Sequence, residues 1–261
     1  LSLKSKYQEI DLFVISTPTN THLQVIKEIL NNYKPLIILC EKPLSHSFTE
    51  TKKILSLFKN IDTELFINFP RRVETSINQI KNELNKATKI KGTVWYSNGL
   101  INNGVHFIDL MIYFFGEIRK IDLTKMNHIN NNLNIDFDVD FNIEFDKGNI
   151  YFLSWDEKLY SNYKIEILTE NKRFIIDKNG FETSFSKVEN DLRYSGYKCL
   201  SSNEKKIKNN LNLALKLVYD DILRFLDKSK NSSILNNQKI IYDVHNTISK
   251  LNEIIHEKIK K

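Results

Sequence analysis

Apolar residues in the first seventy positions of the chain alternate between two arrangements. Short uninterrupted runs occupy residues 11–16, 36–40 and 64–69, as in strands that are buried on both faces. Between them, residues Leu23, Ile26, Ile29 and Leu30, and later Ile54, Leu55 and Phe58, follow the spacing of one helical face. Strand, helix, strand, helix, strand with short links predicts a parallel βαβαβ unit with right-handed crossovers.

The pattern changes after Arg71. Residues 133–145 alternate strictly between apolar and polar positions, which is typical of a half-buried antiparallel strand. Turn residues at 146–148 and 179–180 separate further strands, and the tail from residue 203 has helical spacing. The predicted fold class is therefore α/β followed by α+β. A partial Rossmann domain at residues 1–71 precedes a domain at residues 72–261, an open mixed or antiparallel β-sheet backed by helices.

Composition narrows the classes of protein. Hydrophobic residues make up 41% and charged residues 27% of the 261 positions, as in an ordinary globular protein. The net charge of +6 is spread over the chain without aromatic interleaving, so we expect no nucleic-acid partner. No apolar run is long enough to predict a membrane span. Cys40 and Cys199 have no metal-ligand spacing and predict reduced thiols in a cytoplasmic protein.

The polar face of residues 133–145 carries three aspartates and a glutamate. Evenly spaced carboxylates on one strand do not converge on a point, so we predict no metal site there. We interpret this acidic face as a surface in contact with solvent or with another subunit.

Chemistry-bearing residues follow the predicted parallel strands. Ligands of such sheets bind beyond the carboxyl ends of the strands, which here present residues 17–22, Glu41-Lys42-Pro43 and residues 68–72. The bland interpretation of the tripeptide is a surface turn with an ordinary ion pair. A second cluster begins a predicted helix, where Asn102 lies four residues before His106 and Asp109 lies three residues after it.

Together these segments resemble the Gfo/Idh/MocA family of oxidoreductases. The resemblance rests on the order and spacing of residues 11–22, 40–44, 68–72 and 102–109, and it extends over essentially the whole chain. It implies hydride transfer between NAD or NADP and a hydroxyl or keto carbon of a sugar-type small molecule. The residues that it implies are the catalytic Lys42, His106 and Asn102; the cofactor-binding Thr17, Pro18, Thr19, Asn20, His22, Glu41, Lys42 and Pro43; and the substrate-binding Arg71, Asn102, His106 and Asp109. His106 is expected to be the main acid or base because a histidine pKa suits neutral pH.

Two departures from the family pattern are visible. The position of Asn102 is commonly aspartate in the family's dehydrogenases, so either His106 works with a lower pKa, the substrate is not a simple polyol, or activity is weaker. The family's first strand, glycine-rich phosphate loop and acidic ribose-binding residue have no counterpart, since the first glycine is Gly92. We therefore expect about 50 to 60 further residues ahead of Leu1 in an intact enzyme.

Two other functions fit the same residues. One is an NAD-dependent glycosidase or lyase in which the hydride returns within the cycle. The other is a nucleotide-binding regulator or degenerate homologue, against which the joint presence of Lys42 and His106 argues. Because sheets of the predicted second kind often pair across subunits, we also expect a homo-oligomer.

Overall fold

The computed structural model describes residues 10–130, 136–227 and 233–259, except for the side chains of residues 127–130. The first sheet is formed by β1 (Leu12–Ile15), β2 (Ile37–Cys40) and β3 (Glu64–Ile67), in that spatial order and all parallel. The crossover helices are α1 (His22–Asn32) and α2 (Phe48–Leu57). Their inward residues include Ile26 and Ile54, both fully buried. The predicted βαβαβ unit is confirmed.

Two helices and a second sheet follow. Helices α3 (Thr75–Lys86) and α4 (Val105–Phe115) flank the first strand of a nine-stranded mixed sheet in the described part of the chain. Its strands are β4 (Ile90–Tyr96), β5 (Ile118–Asn130), β6 (Asp136–Phe145), β7 (Gly148–Ser154), β8 (Lys164–Thr169), β9 (Lys172–Asp177), β10 (Glu182–Asn190), β11 (Lys198–Leu200) and β12 (Lys205–Ile207). Among the described pairings within this second sheet, only that of β4 with β7 is parallel. The predicted fold class is confirmed.

The alternation predicted for residues 133–145 holds where the structure describes it. Within β6 the apolar side chains of Phe137, Val139, Phe141, Ile143 and Phe145 are all buried. The first three predicted positions, 133–135, lie outside the described residues. The register of β6 is thus fixed by its apolar face, because a shift of one residue would expose all of these side chains.

The C-terminal helices bind the two sheets together. Helix α5 (Ala214–Leu226) packs Val218 and Ile222 against Ile37 and Phe66 of the first sheet. Helix α6 (Gln238–Ile259) contributes Val244, among others, to the core shared by both lobes. The tail therefore returns to the first lobe, and its start differs from the prediction, because residues 205–207 pair with β10 as a strand. The division at residue 71 stays a prediction. None of the described helices is long and apolar enough to cross a membrane.

Candidate active site

Three loops at the carboxyl edge of the first sheet form one wall of a cleft. Because β1, β2 and β3 run parallel, the segments after them emerge at the same edge. The turn after β1 exposes Thr17, Pro18 and Asn20, with Thr19 partly exposed. The Thr21 hydroxyl holds this turn in shape, donating to Pro18 O at 2.7 Å and lying 2.8 Å from Thr17 Oγ1. Hydroxyl and amide groups are thus presented to the cleft.

Glu41 and Asn68 join the second and third loops. The Asn68 side-chain amide donates to Glu41 Oε1 at 2.6 Å. Asn68 is buried, and its Oδ1 has no hydrogen-bond partner among the described residues. A buried amide oxygen without a donor is uncommon in folded proteins. This oxygen therefore marks a place where a bound molecule can supply a hydroxyl or N–H group.

Lys42 links the two lobes across the cleft. Its ammonium donates to the main-chain oxygen of Asn102 at 2.8 Å, and the peptide bond from Lys42 to the buried Pro43 is cis. Burial lowers the pKa of Lys42, Glu41 opposes this shift, and the positive charge of Arg71 adds to it. The amine is therefore easier to deprotonate than an exposed lysine.

His106 lies in the first turn of α4 on the opposite wall. Its ring meets Phe69 edge to face, with 6.0 Å between ring centroids. Burial, followed by the positive charges of Lys42 and Arg71, lowers the pKa of His106 to about 3. The expectation that His106 titrates near neutral pH is therefore wrong, and the alternative of a lowered pKa is the one that the structure favours. At neutral pH the imidazole is uncharged.

Asn102 contributes its main chain rather than its side chain to this arrangement. Its side chain is exposed, and no described hydrogen bond joins it to His106, whereas its carbonyl receives Lys42. It lies in a π-helical turn, Leu100–Gly104, that leads directly into α4. These contacts lend no support to the catalytic role that the resemblance implies for the Asn102 side chain, and that role stays a prediction.

Arg71 stands beside the same cleft. Its guanidinium donates to Asn179 O at 3.2 Å and lies 5.4 Å above the ring of Phe107. Among the described residues, no carboxylate lies within ion-pair distance of it. Burial lowers the pKa of Arg71, and Tyr163 opposes that shift. Gly180 gives the guanidinium its room, because a Cβ there would lie 2.4 Å from Nη1.

Asp109 is not in the cleft. Its carboxylate is 1% exposed and accepts two hydrogen bonds from the buried Arg72, one of them from Nε at 2.9 Å. Burial raises the pKa of Asp109, and Arg72 opposes this. The assignment of Asp109 to substrate is thus corrected. Both of its oxygens accept hydrogen bonds from the Arg72 guanidinium and are not available to a substrate.

His22 is also removed from direct contact with ligands. It is fully buried, with Nδ1 3.1 Å from Leu44 O and Nε2 3.0 Å from Thr17 O. Its predicted place in the cofactor site is corrected to a support beneath it. From the other side, His245 of α6 accepts the Leu44 N–H at 3.1 Å. Two buried histidines thereby fix the chain just after Lys42 and Pro43.

The sequence interpretation missed the acidic residues that hold the loop before α4. Asp136 accepts the N–H groups of Ile101 and Asn102 at 2.8 and 2.9 Å, and Asp138 accepts that of Gly99 at 2.9 Å. The beginning of the acidic face is therefore not a solvent surface, which corrects that prediction. The one signal available was the clustering of carboxylates, and it does not indicate their partners.

Comparison with known proteins agrees with the fold described above. Residues 2–69 match the family model described as oxidoreductase family, NAD-binding Rossmann fold. The uncharacterized oxidoreductase YrbE of Bacillus subtilis is 37% identical over 73 residues, which are 28% of this chain and 21% of that protein. The chain thus spans, in the matched segment, about a fifth of that curated relative.

Solved structures extend the likeness beyond the first lobe. UDP-N-acetylglucosamine 3-dehydrogenase GnnA from Acidithiobacillus ferrooxidans superposes with a TM-score of 0.73 at 13% identity, covering 93% of this chain and 78% of that one. The dehydrogenase MviM from Clostridium difficile gives 0.70 at 17% identity, covering 93% and 78%. At such identities the likeness shows a shared fold.

The first lobe is therefore similar to Rossmann-fold oxidoreductases, and the chain as a whole shares the fold of solved members of that class. Residues 2–69 match the model of the Gfo/Idh/MocA oxidoreductase family, so the resemblance seen in the sequence is confirmed over this segment. That family binds NAD, in agreement with the expected cofactor class of NAD or NADP.

Proposed function

We propose that this protein transfers a hydride between NAD or NADP and a hydroxyl or keto carbon of a sugar or sugar derivative. The observation that carries the proposal is the meeting of two lobes in one cleft. Lys42, from the end of β2, donates across it to Asn102, four residues before His106. An amine and an imidazole from separate lobes are suited to a proton transfer that accompanies hydride transfer.

The first sheet supplies residues that fit the nicotinamide end of the cofactor. Thr17 to Asn20 expose hydroxyl and amide groups, and Asn68 Oδ1 lacks a donor that a ribose hydroxyl would provide. Glu41, bound to Asn68, is placed to accept a second hydroxyl. When bound, the nicotinamide accepts or supplies the hydride, and the protein supplies position and field.

Lys42 is the residue that we assign to the proton. Its lowered pKa brings the amine closer to the working pH, so it can receive a proton from a substrate hydroxyl or return one to a carbonyl oxygen. His106, uncharged at neutral pH, can accept a hydrogen bond from the substrate hydroxyl and orient it towards Lys42. Together they fix the reacting oxygen between two polar groups.

Arg71 is the residue that we assign to recognition of the substrate. A half-buried guanidinium held by a carbonyl and an aromatic ring, with no described carboxylate partner, favours an anionic group such as a carboxylate or phosphate. That the solved neighbour GnnA is named as acting on a nucleotide sugar supports a sugar-type substrate.

Activity assays on the full-length protein test the proposal. We would follow near-ultraviolet nicotinamide absorbance with NAD and NADP against neutral sugars, sugar acids and nucleotide sugars. Lys42→Met should reduce kcat about 100-fold or more, whereas the exposed Lys53→Met on α2 should leave it unchanged. A Lys42 variant as active as wild type would refute the assignment.

The same assay separates the alternatives. Release of a sugar leaving group without net change in the nicotinamide would favour a glycosidase or lyase. Cofactor binding without turnover of any sugar in the panel would favour a regulator. Either result would replace the proposed hydride transfer.

The proposed assembly is a homo-oligomer formed through the outer face of the second sheet. On this face Trp95 lies next to Leu153 across β4 and β7, and Leu168 of the neighbouring β8 is 42% exposed. Apolar side chains on this face, which alternate there with Lys164 and Glu166, can pack against a second subunit. Light scattering after size exclusion should give a dimer or larger, and Leu168→Lys should shift it towards the monomer. A monomeric wild type would contradict this.

A further inference from the structure

The carboxylate of Asp136 binds the loop before α4, in which the Asn102 carbonyl accepts the hydrogen bond from Lys42. Asp136 is the first residue of β6, in the second sheet. Its Oδ1 accepts the N–H of Ile101 at 2.8 Å, and its Oδ2 accepts the N–H of Asn102 at 2.9 Å. Each oxygen therefore holds one of two successive amides, which fixes the orientation of the peptide group between them.

The loop is shaped to receive this carboxylate. Gly99 has a φ of +83°, and a Cβ built on it would lie 2.1 Å from Asp136 Oδ2. Any other residue at position 99 would displace the carboxylate as well as strain the backbone. Asp138 adds a hydrogen bond from the Gly99 N–H at 2.9 Å. The contact thus depends both on the carboxylates of β6 and on the glycine in the loop that makes room for one of them.

The other end of Asn102 faces the proposed proton-transfer group. Its N–H is bound by Asp136, and its carbonyl accepts the Lys42 ammonium at 2.8 Å. A carboxylate, one residue of main chain and an ammonium therefore form a continuous hydrogen-bonded path. Both ends are fixed by strands, since Lys42 follows β2 and Asp136 begins β6.

We propose that Asp136 is a positioning residue for Lys42, acting through the main chain of Asn102. The inference rests on the proposed function of Lys42. It adds a residue of the second sheet to the site, 34 positions from Asn102 in the chain. Asp136 touches neither substrate nor cofactor in this assignment. It fixes the position of the Asn102 carbonyl, which orients the Lys42 amine, and it places a negative charge near that amine.

The charges around Lys42 give this role a measurable consequence. The groups that act on the amine are Glu41 from its own loop, Arg71 after β3, the uncharged His106 of α4, and Asp136. Burial and Arg71 lower the pKa of Lys42, whereas Glu41 and Asp136 raise it. Removal of the Asp136 charge should therefore lower the pKa of Lys42 further.

Competitive chemical labelling of lysines tests this without any enzymatic assay. The full-length protein would be acylated with acetic anhydride over a range of pH, and modification of Lys42 would be quantified by mass spectrometry. At a pH below the midpoint, Lys42 should react about five-fold faster in Asp136→Asn than in wild type, and its titration midpoint should fall. Asp140→Asn, which removes another β6 carboxylate that accepts a backbone N–H, is the matched control and should not change the midpoint.

Asp136→Glu separates the charge of residue 136 from its fit against Gly99. It retains the charge but is one methylene longer, so a residue that acted on Lys42 only by stabilising the loop would make it as disruptive as Asp136→Asn. We expect the Lys42 midpoint of Asp136→Glu to stay near that of wild type. A Lys42 midpoint that is unchanged in Asp136→Asn, or moved equally by Asp140→Asn, would overturn the proposal.

A reciprocal measurement covers the case in which Asp136→Asn does not fold. Lys42 is half-buried, and Lys42→Met retains most of its aliphatic stem. Because coupling between two groups is mutual, this variant should raise the pKa of Asp136, followed by carbon NMR of labelled aspartate. No change would overturn the proposal. If the coupling is present but Lys42→Met is fully active, the positioning stands as geometry and the proposed function of Lys42 fails instead.

Discussion

His245 gives the sharpest quantitative expectation for this protein. It is 4% exposed on α6, its Nε2 accepts the Leu44 N–H at 3.1 Å, and its Nδ1 lies 2.9 Å from Ile241 O. Protonation would turn that acceptor into a donor facing the Leu44 N–H. Acidification should therefore loosen the segment that follows Lys42.

The magnitude follows from the two protonation equilibria. Burial lowers the pKa of His245 from 6.5 to about 4, and the bond to Ile241 opposes the shift. Between these values the unfolded chain binds more protons than the folded protein, so the free energy of unfolding falls as pH drops. The full contribution of His245 to stability is present above pH 6.5. The difference between its pKa values in the unfolded and folded states corresponds to about 3 kcal/mol of that stability, lost by pH 4. That is a large share of the roughly 5–15 kcal/mol of a typical domain.

Urea unfolding from pH 7 to pH 4 measures this loss. His106 titrates in the same direction, so the wild-type curve alone does not isolate His245. His245→Gln does isolate it, because the amide oxygen can accept the Leu44 N–H and does not titrate in this range. Relative to this variant, the free energy of unfolding of wild type should fall by about 3 kcal/mol more between pH 7 and pH 4. His256→Gln, an exposed position on the same helix, should run parallel to wild type. Parallel curves for His245→Gln and wild type would refute the reasoning.

Three further variants follow from named contacts. Asp109→Ala leaves the Arg72 guanidinium buried without its carboxylate and should cost about 3–5 kcal/mol in denaturant unfolding, most of which Arg72→Met with Asp109→Leu should restore. Gly99→Ala should cost more than Gly196→Ala in the same measurement, since both have a φ of +83° but only Gly99 has a carboxylate within contact. Asn102→Asp should move the acidic limb of the pH–rate profile to higher pH, because a new negative charge favours the imidazolium; an unmoved limb would show no coupling.

Local patterns predicted the first lobe well. The strands at residues 12–15, 37–40 and 64–67 and the helices between them follow from runs and periods of a few residues. The helix predicted to begin near His106 was found in the same way and is α4, from Val105 to Phe115. These features depend on neighbours in sequence, which a single chain displays directly.

The supports of the site could not be predicted, because each depends on a partner far along the chain. Arg72 meets Asp109 across 37 positions, and Leu44 meets His245 across 201. Nothing in the period or composition of either segment indicates its partner. An aspartate at the start of a half-buried strand equally predicts a residue that faces solvent or another subunit, as we expected for Asp136. Only the packing of the second sheet against the loop before α4 distinguishes the two.

The lowered pKa of His106 redistributes the roles within the cleft. Lys42 and Arg71 each act on the imidazole with a positive charge, and the three groups cannot all be protonated in a half-buried space without strong repulsion. The imidazole is the first of the three groups to lose its proton, because its intrinsic pKa is the lowest. An anionic substrate bound at Arg71 would offset part of that charge and raise the pKa of His106 within the complex. If the proposed roles hold, recognition at Arg71 and proton transfer at the reacting oxygen would be electrostatically linked, so the substrate's own charge would help to set the protonation of the groups that act on it.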